Sequence, residues 1–315
     1  HKIELSQIIK RIYRKKKMKK IFALMIVSFV FLVSCGKGAA DSDELKGEVV
    51  IDGSSTVAPI TQGVAEVFKE QNSDANISVG ISGTGGGFKK FSHGEIDISN
   101  ASRKIKAEEK KEAEENKIEY IELQVGIDGI TVVVNKENTW AQDLTAEELK
   151  KIWEKGSTIK KWKDIRPEWP DIPIVLYAPG EDSGTHDYFV EAILKKGEIR
   201  QDYTPSTNPN VLVQGVEGDK GALGFFGYAY YEENVENLKA LKINGVAPTH
   251  ETVQDGTYKP LSRPIFIYVN KQSYNEKLQV KVFVDFYFKV APQIVPESGY
   301  IALKDYTKEI EKLGK

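Results

Sequence analysis

The chain has 315 residues, 40% of them hydrophobic and 29% charged, with 26 glycines, one cysteine, four histidines and a formal net charge of -2. One cysteine excludes a disulfide framework and a cysteine-rich metal site, and four scattered histidines leave little material for a zinc cluster, so neither a metal nor a cofactor is expected. A single buried core rarely grows past roughly 250 to 300 residues, so the length implies one large domain or two lobes.

In chain order, residues 1 to 17 are basic and unpatterned and are expected to take no part in the fold. From Met18, the pair Lys19 and Lys20 precedes an apolar run of thirteen residues, Ile21 to Val33. That run is too short to cross a bilayer core of about 30 Å as a helix, and its flanks match a secretory signal. Leu32-Val33-Ser34-Cys35, followed by Gly36, resembles the lipobox of bacterial lipoproteins. The likeness makes Cys35 the expected lipidation site and places the protein outside the cytoplasm, periplasmic or on the outer face of the cytoplasmic membrane. Two or more acyl chains would anchor it stably where one would not. Residues 36 to 46 are small and polar, as a flexible tether should be. Of the 44 Lys and Arg, nine lie in the first 35 residues, with one acid, Glu4, from a total of 46, so the remaining 280 residues carry 35 basic and 45 acidic groups, a net of -10. This argues against nucleic acid as a partner, since phosphate backbones are bound by basic surfaces.

In the body, short β-rich runs alternate with helical patterns. Residues 48 to 52, 76 to 81, 95 to 99, 130 to 134, 172 to 178 and 265 to 269 read as strands. Ile60, Val64, Val67 and Phe68 fall on one helical face, Thr145 to Glu148 matches a capping box, and Phe189, Val190, Ile193 and Leu194 repeat a helical stripe after Thr185. The alternation predicts an α/β fold with a mostly parallel sheet. The mixed-charge run 104 to 119 is expected to be a solvated helix, and residues 198 to 221, rich in Gly, Pro, Asn and Asp, are expected to form loops. The aromatic run Phe225 to Tyr231 is expected to pack under a lobe.

Three clusters of small polar residues follow strands and precede helices. They are Gly53-Ser54-Ser55-Thr56, Ser82-Gly83-Thr84-Gly85-Gly86-Gly87 and Asp182-Ser183-Gly184-Thr185-His186. Amides at a helix start attract anions, Ser and Thr add neutral donors, and glycines let the backbone approach a ligand. One such cluster is usually only a cap, but three in an α/β chain point to an oxyanion cradle beyond the carboxyl ends of the strands. The P-loop spacing is absent because Phe88 follows the last glycine, and no G-x-S-x-G elbow frames Ser183.

These segments, together with Ser99-Asn100-Ala101-Ser102-Arg103, resemble in order the anion-binding segments of the PstS phosphate-binding proteins, over roughly residues 47 to 303. The resemblance implies a two-lobe, periplasmic-binding-protein-like fold of type II hinged by two crossover strands. Lobe one would be residues 47 to 133 plus 264 to 315, and lobe two residues 134 to 263. It implies a monomeric binding protein, not an enzyme, with no catalytic residue, that hands inorganic phosphate to the membrane permease of an ABC importer. Ser54, Ser55, Thr56, Thr84, Ser183, Gly184 and Thr185 would surround the anion.

The pattern departs from the family at two places. Arg103 stands where better-known members have an Asp after the Ser, and Pro179 and Gly180 stand where they have an Arg. Arg103 is therefore the expected guanidinium for the dianion, since its planar donors suit an oxyanion. The carboxylate that accepts the phosphate proton, and so turns away sulfate, is expected to be Asp128, with Asp182 as second choice. The alternatives are a receptor for another tetrahedral oxyanion, sulfate or molybdate, and a hydrolase using Ser183 and His186.

Overall fold

The computed structural model describes Leu45 and residues 47 to 315, apart from positions 182 and 196. The signal segment 18 to 35, the lipidation site Cys35, nearly all of the tether and Asp182 lie outside the described residues.

The chain opens with β1 (Glu48–Gly53), α1 (Ala58–Gln71), β2 (Asn76–Val79), α2 (Gly83–Ser92), β3 (Ile98–Ala101) and α3 (Ala107–Glu115). The long β4 (Tyr120–Asn135) follows, then β5 (Asp143–Leu144), α4 (Ala146–Trp153) and β6 (Val175–Pro179). Next come α5 (Gly184–Phe189), continued by a π turn over Val190–Leu194, β7 (Thr204–Ser206), α6 (Pro209–Gly218), β8 (Ala222–Gly227), α7 (Tyr228–Glu232), β9 (Leu238–Ala240), β10 (Lys242–Ile243) and α8 (His250–Gln254). The chain closes with β11 (Ser262–Asn270), α9 (Lys271–Glu276), α10 (Leu278–Glu297) and α11 (Thr307–Glu311).

Among the described residues nine strands share one sheet in the order β2-β1-β3-β11-β4-β8-β6-β7, with β9 beside β4, and β5 and β10 form a separate pair. Strands β1, β2 and β3 run parallel, as do β6, β7 and β8, each set being linked through helices. Strands β4 and β11 run antiparallel between the two sets. The sixteen residues of β4 join both halves: Tyr120 to Gly129 pair with β11, whereas Ile130 to Val134 pair with β8. A register shift lies opposite Ile265/Phe266, and the carbonyl of Val125 at that irregularity accepts a hydrogen bond from the Tyr306 hydroxyl at 2.8 Å.

Each half buries its own apolar cluster. In the first, Ile60, Val64 and Phe68 of α1 and Phe283, Tyr287 and Phe288 of α10 cover Val49, Ile51, Ile98 and Ile267. Burying a side chain of this size contributes about 1.5–3 kcal/mol, so helix spacing in the sequence becomes a fixed docking face. In the second, Trp153, Trp162, Phe189, Phe225 and Tyr258 are buried together, and the rings of Phe189 and Phe225 stack at 3.8 Å. The aromatic run after Leu223 thus packs as strand and core. The capping box at Thr145 forms, with Glu148 donating its amide to the Thr145 hydroxyl at 3.1 Å.

Two expectations need correction. Residues 198 to 221 are not all loop, because α6 occupies Pro209–Gly218. Asn208 caps it, accepting from the Asn210 amide at 3.1 Å, Pro209 suits a first turn that needs no amide, and Leu212, Val213 and Val216 are buried. The turn-forming residues at its start mask an amphipathic helix. The cluster at Gly83 to Gly87 is likewise helical, forming the first turns of α2, while the charged helix α3 is shorter than its charge run and buries only Ala113.

Candidate functional site

The sequence fixes where the loops go. Gly53, last in β1, has φ +135°, and a Cβ there would meet the Asn100 carbonyl oxygen at 2.2 Å, so only glycine lets the chain turn off the strand so close to β3. The Ser54 amide still bonds that carbonyl at 2.9 Å. The Ser54 hydroxyl is buried and accepts from the Thr56 amide at 3.2 Å, so it shapes the loop from within. Asp52 braces the same region: its carboxylate accepts from the amides of Gly53 at 2.7 Å and Ser82 at 2.9 Å and pairs with Lys90. Burial raises its pKa, but the bonds from Lys90, Ser82 and Gly53 outweigh that and hold the carboxyl below its ordinary 3.8.

Across from this loop, Ser183 caps α5, its hydroxyl accepting from the Thr185 amide at 3.2 Å. The two clusters meet. The Thr56 hydroxyl donates to the Gly184 carbonyl at 3.3 Å and the Ser55 hydroxyl donates to the Asp187 carboxylate at 3.2 Å. The Ser183 hydroxyl is thus engaged as a cap, and neither ring nitrogen of the buried His186 has a hydrogen-bond partner among the described residues, so these two do not form a nucleophile–base pair.

The cation at this meeting point is Arg263, which the sequence reading missed. It stands third from the cis Lys259–Pro260 bond, second in β11, directly opposite Asp128 of β4 in the antiparallel register. Its Nη2 donates to the Thr56 hydroxyl at 3.2 Å, its Nε lies 3.4 Å from the Asp128 carboxylate, and its Nη1 donates to Glu191 at 3.0 Å. The guanidinium lies over the Tyr188 ring, 3.7 Å from the centroid, and the Tyr188 hydroxyl is itself fixed by the Pro260 carbonyl at 2.8 Å. Every edge of the fork is therefore oriented. Asp128 is 2% exposed, and burial pushes its carboxyl up from the ordinary 3.8 although Arg263 opposes the shift. A buried carboxylate with raised proton affinity is a strong hydrogen-bond acceptor.

Thr84 and Arg103 form a neighbouring group. The Thr84 hydroxyl lies 2.9 Å from the Ser102 hydroxyl and accepts from the Ser102 amide at 3.1 Å, tying the start of α2 to the end of β3. Arg103 is committed to Glu109 through two bonds of 2.8 and 2.7 Å and lies over the Phe88 ring at 5.5 Å. Its side chain stays near the glycine turn, since a Cβ on Gly85 would lie 3.9 Å from Nη2. Thus Ser55, Thr56, Gly184, Asp128 and Arg263 belong to one connected set, Thr84 and Arg103 flank it, and Asp182 lies outside the described residues. A signal for Arg263 does exist in the sequence: Ser262-Arg263-Pro264 opens the returning strand, as Gly126-Ile127-Asp128-Gly129 lies at the other crossover. Among the described residues no group of three acidic, His or Cys side chains could hold a metal, and no helix is long and apolar enough to cross a membrane.

Known proteins share this architecture. The model of the PBP superfamily domain matches residues 38–290. Protein SphX of Synechococcus elongatus is 49% identical over 273 residues, 84% of this chain and 80% of that protein. The phosphate-binding protein PstS of Staphylococcus saprophyticus is 40% identical over 306 residues, 95% of this chain and 94% of that one. Among solved structures, a possible phosphate binding protein from Planctomyces limnophilus superposes with a TM-score of 0.82 at 44% identity, covering 86% of this chain and 98% of its own. An ABC-type phosphate transport receptor from Vibrio cholerae superposes with a TM-score of 0.64 at 25% identity, covering 80% and 99%. The sheet with two parallel sets joined by β4 and β11 is the type II periplasmic-binding-protein fold, and the chain belongs to the PBP superfamily and, within it, to the PstS family.

Proposed function

We propose that the chain binds inorganic phosphate between the β1–α1 loop and the start of α5 and delivers it to the permease of an ABC importer. The observation that carries this reading is the Arg263 fork, which reaches Thr56 of one loop while facing Asp128 of the hinge strand. A guanidinium offers planar paired donors to a tetrahedral oxyanion, and the hydroxyls of Ser55, Thr56, Thr84, Ser183 and Thr185 with the Gly184 backbone add neutral ones. Arg103 contributes positive potential from beside the cradle while remaining bonded to Glu109.

Inorganic phosphate carries one more ionisable hydroxyl than a phosphate monoester, whose second pKa is about 6, so near neutral pH it still keeps a proton where sulfate keeps none. Asp128 accepts that proton's hydrogen bond and repels an anion that lacks it, because an unpaired buried charge is costly. Binding of this kind moves no covalent bond. In this reading residues 47 to 133 plus 264 to 315 and residues 134 to 263 act as two lobes, β4 and the start of β11 act as the hinge, and closure excludes water from the anion. Ser183 and His186 have no catalytic role, and the protein works as a monomer.

The leader ending at Cys35 would place a lipid-anchored protein outside the cytoplasm, and the relatives' phosphate-binding and phosphate-transport roles support the importer assignment. A ligand that binds only the folded state stabilises it by about 2.7 kcal/mol at a hundred times its Kd. Phosphate should therefore raise the melting temperature of ligand-stripped protein in a concentration-dependent way, and equal sulfate should not. Equal stabilisation by both would remove the phosphate assignment.

A further inference from the structure

We infer that Glu191 and Asp187 act together as an internal anion: they bond donors that phosphate also uses, and by competing for them set how readily phosphate is released. The inference rests on the phosphate reading above. Asp187 lies in α5 and Glu191 in the π turn that continues it, four residues apart, so both carboxylates fall on one side of the helix. That helix begins at the Ser183 cap. Both carboxylates reach across to groups from the other side of the cradle, Asp187 accepting from the Ser55 hydroxyl at 3.2 Å and Glu191 from Arg263 Nη1 at 3.0 Å. The field of Glu191 also helps to raise the Arg103 pKa, after the larger effect of the Glu109 bonds.

Arg263 then spends Nε on Asp128, Nη1 on Glu191 and Nη2 on Thr56, so each of its three nitrogens is engaged by one of its five N–H donors. A dianion entering the cradle competes with Glu191 for the guanidinium and with Asp187 for the single proton of the Ser55 hydroxyl. The exchange is easy because the two acids are unlike Asp128: their side chains are 59% and 62% exposed, against 2%. Released into water, each recovers its hydration, whereas displaced Asp128 would stay buried. The helix that supplies the Ser183–Thr185 donors thus also carries the negative charge that competes with the ligand, which limits affinity and favours hand-over.

The test is calorimetric titration with inorganic phosphate of the unmodified chain and its Glu191→Gln, Asp187→Asn and double variants, with stopped-flow dissociation in parallel. Exposed ion pairs contribute modestly, so each single change should tighten binding by roughly two- to fivefold. The double variant should bind tighter than either, mainly through slower release, and Glu191→Asp should restore much of the original release rate. Thermal unfolding without ligand checks that each variant folds. If the unmodified chain binds phosphate and Glu191→Gln binds it equally or more weakly, the inference is overturned and the phosphate reading stands. If the unmodified chain does not bind phosphate, the reading falls and the inference falls with it.

Discussion

Replacing Gly184 by alanine adds one methyl group where the β1–α1 loop and the start of α5 touch. A Cβ at that position would lie 2.7 Å from the Thr56 hydroxyl oxygen and 2.8 Å from both its Cα and its amide nitrogen. Carbon contacts are optimal at about 3.5–4.0 Å, so the two loops must move apart by roughly 0.7–1 Å. Two of the three crowded atoms are backbone, and a rotamer change cannot relieve them. The displacement breaks the Thr56–Gly184 hydrogen bond of 3.3 Å and disturbs the Arg263–Thr56 bond of 3.2 Å. Overpacking of this size costs about 1–3 kcal/mol, equivalent to a roughly 5- to 150-fold loss of phosphate affinity. Gly184 is the first residue of α5, where alanine is the better helix former by up to about 1 kcal/mol, which offsets part of that cost in the fold without ligand. Calorimetric titration together with ligand-free melting separates the two effects. Weaker binding with a melting temperature lowered by a few degrees at most is expected; unchanged affinity would show that the two loops do not close on the anion as argued.

Three further changes test the site. Arg263→Lys keeps the charge but loses the fork, and should weaken phosphate binding by about ten- to a hundredfold by titration, whereas Arg263→Ala leaves Asp128 buried without its partner and should cost about 3–5 kcal/mol in chemical denaturation. Asp128→Asn should let sulfate compete for the site in a displacement assay; phosphate binding as before with sulfate still excluded would remove Asp128 from the discrimination. Asp52 has its folded pKa held below 3.8, so its contribution is complete above that value and fades as pH falls through the lower folded one. Urea denaturation should therefore find Asp52→Asn less stable than the unmodified chain by about 2 kcal/mol at pH 6, with the gap narrowing in acid; a gap that does not shrink at all as the pH falls below 3.8 would contradict the bracing role.

Much of this architecture is legible in the sequence because it is local. The period of Ile60, Val64 and Phe68, the box at Thr145 and the small-residue clusters after strands each depend on neighbours a few positions away, and helices and loops formed there. What stayed hidden depends on pairing at a distance. Arg263 meets Asp128 across 135 positions through the β4–β11 register, so the place of Ser262-Arg263-Pro264 at the start of a returning strand gains meaning only once that strand is paired with β4. Arg103 reads as the binding cation because it sits inside a motif; its partner Glu109, six residues on, is what the motif alone does not show. Asp52 was invisible for a related reason: as the penultimate residue of β1 it reads as part of a strand, and only the approach of Ser82 and Lys90 makes it a brace. The helix α6 was masked by the Pro and Asn that start it.

The most direct test of the central claim is calorimetric titration of ligand-stripped protein with inorganic phosphate, repeated in excess sulfate. One-to-one binding that sulfate leaves unchanged is the predicted result, because the Arg263 fork holds the anion and Asp128 requires its proton. No heat on adding phosphate, or equal displacement by sulfate, would contradict the account.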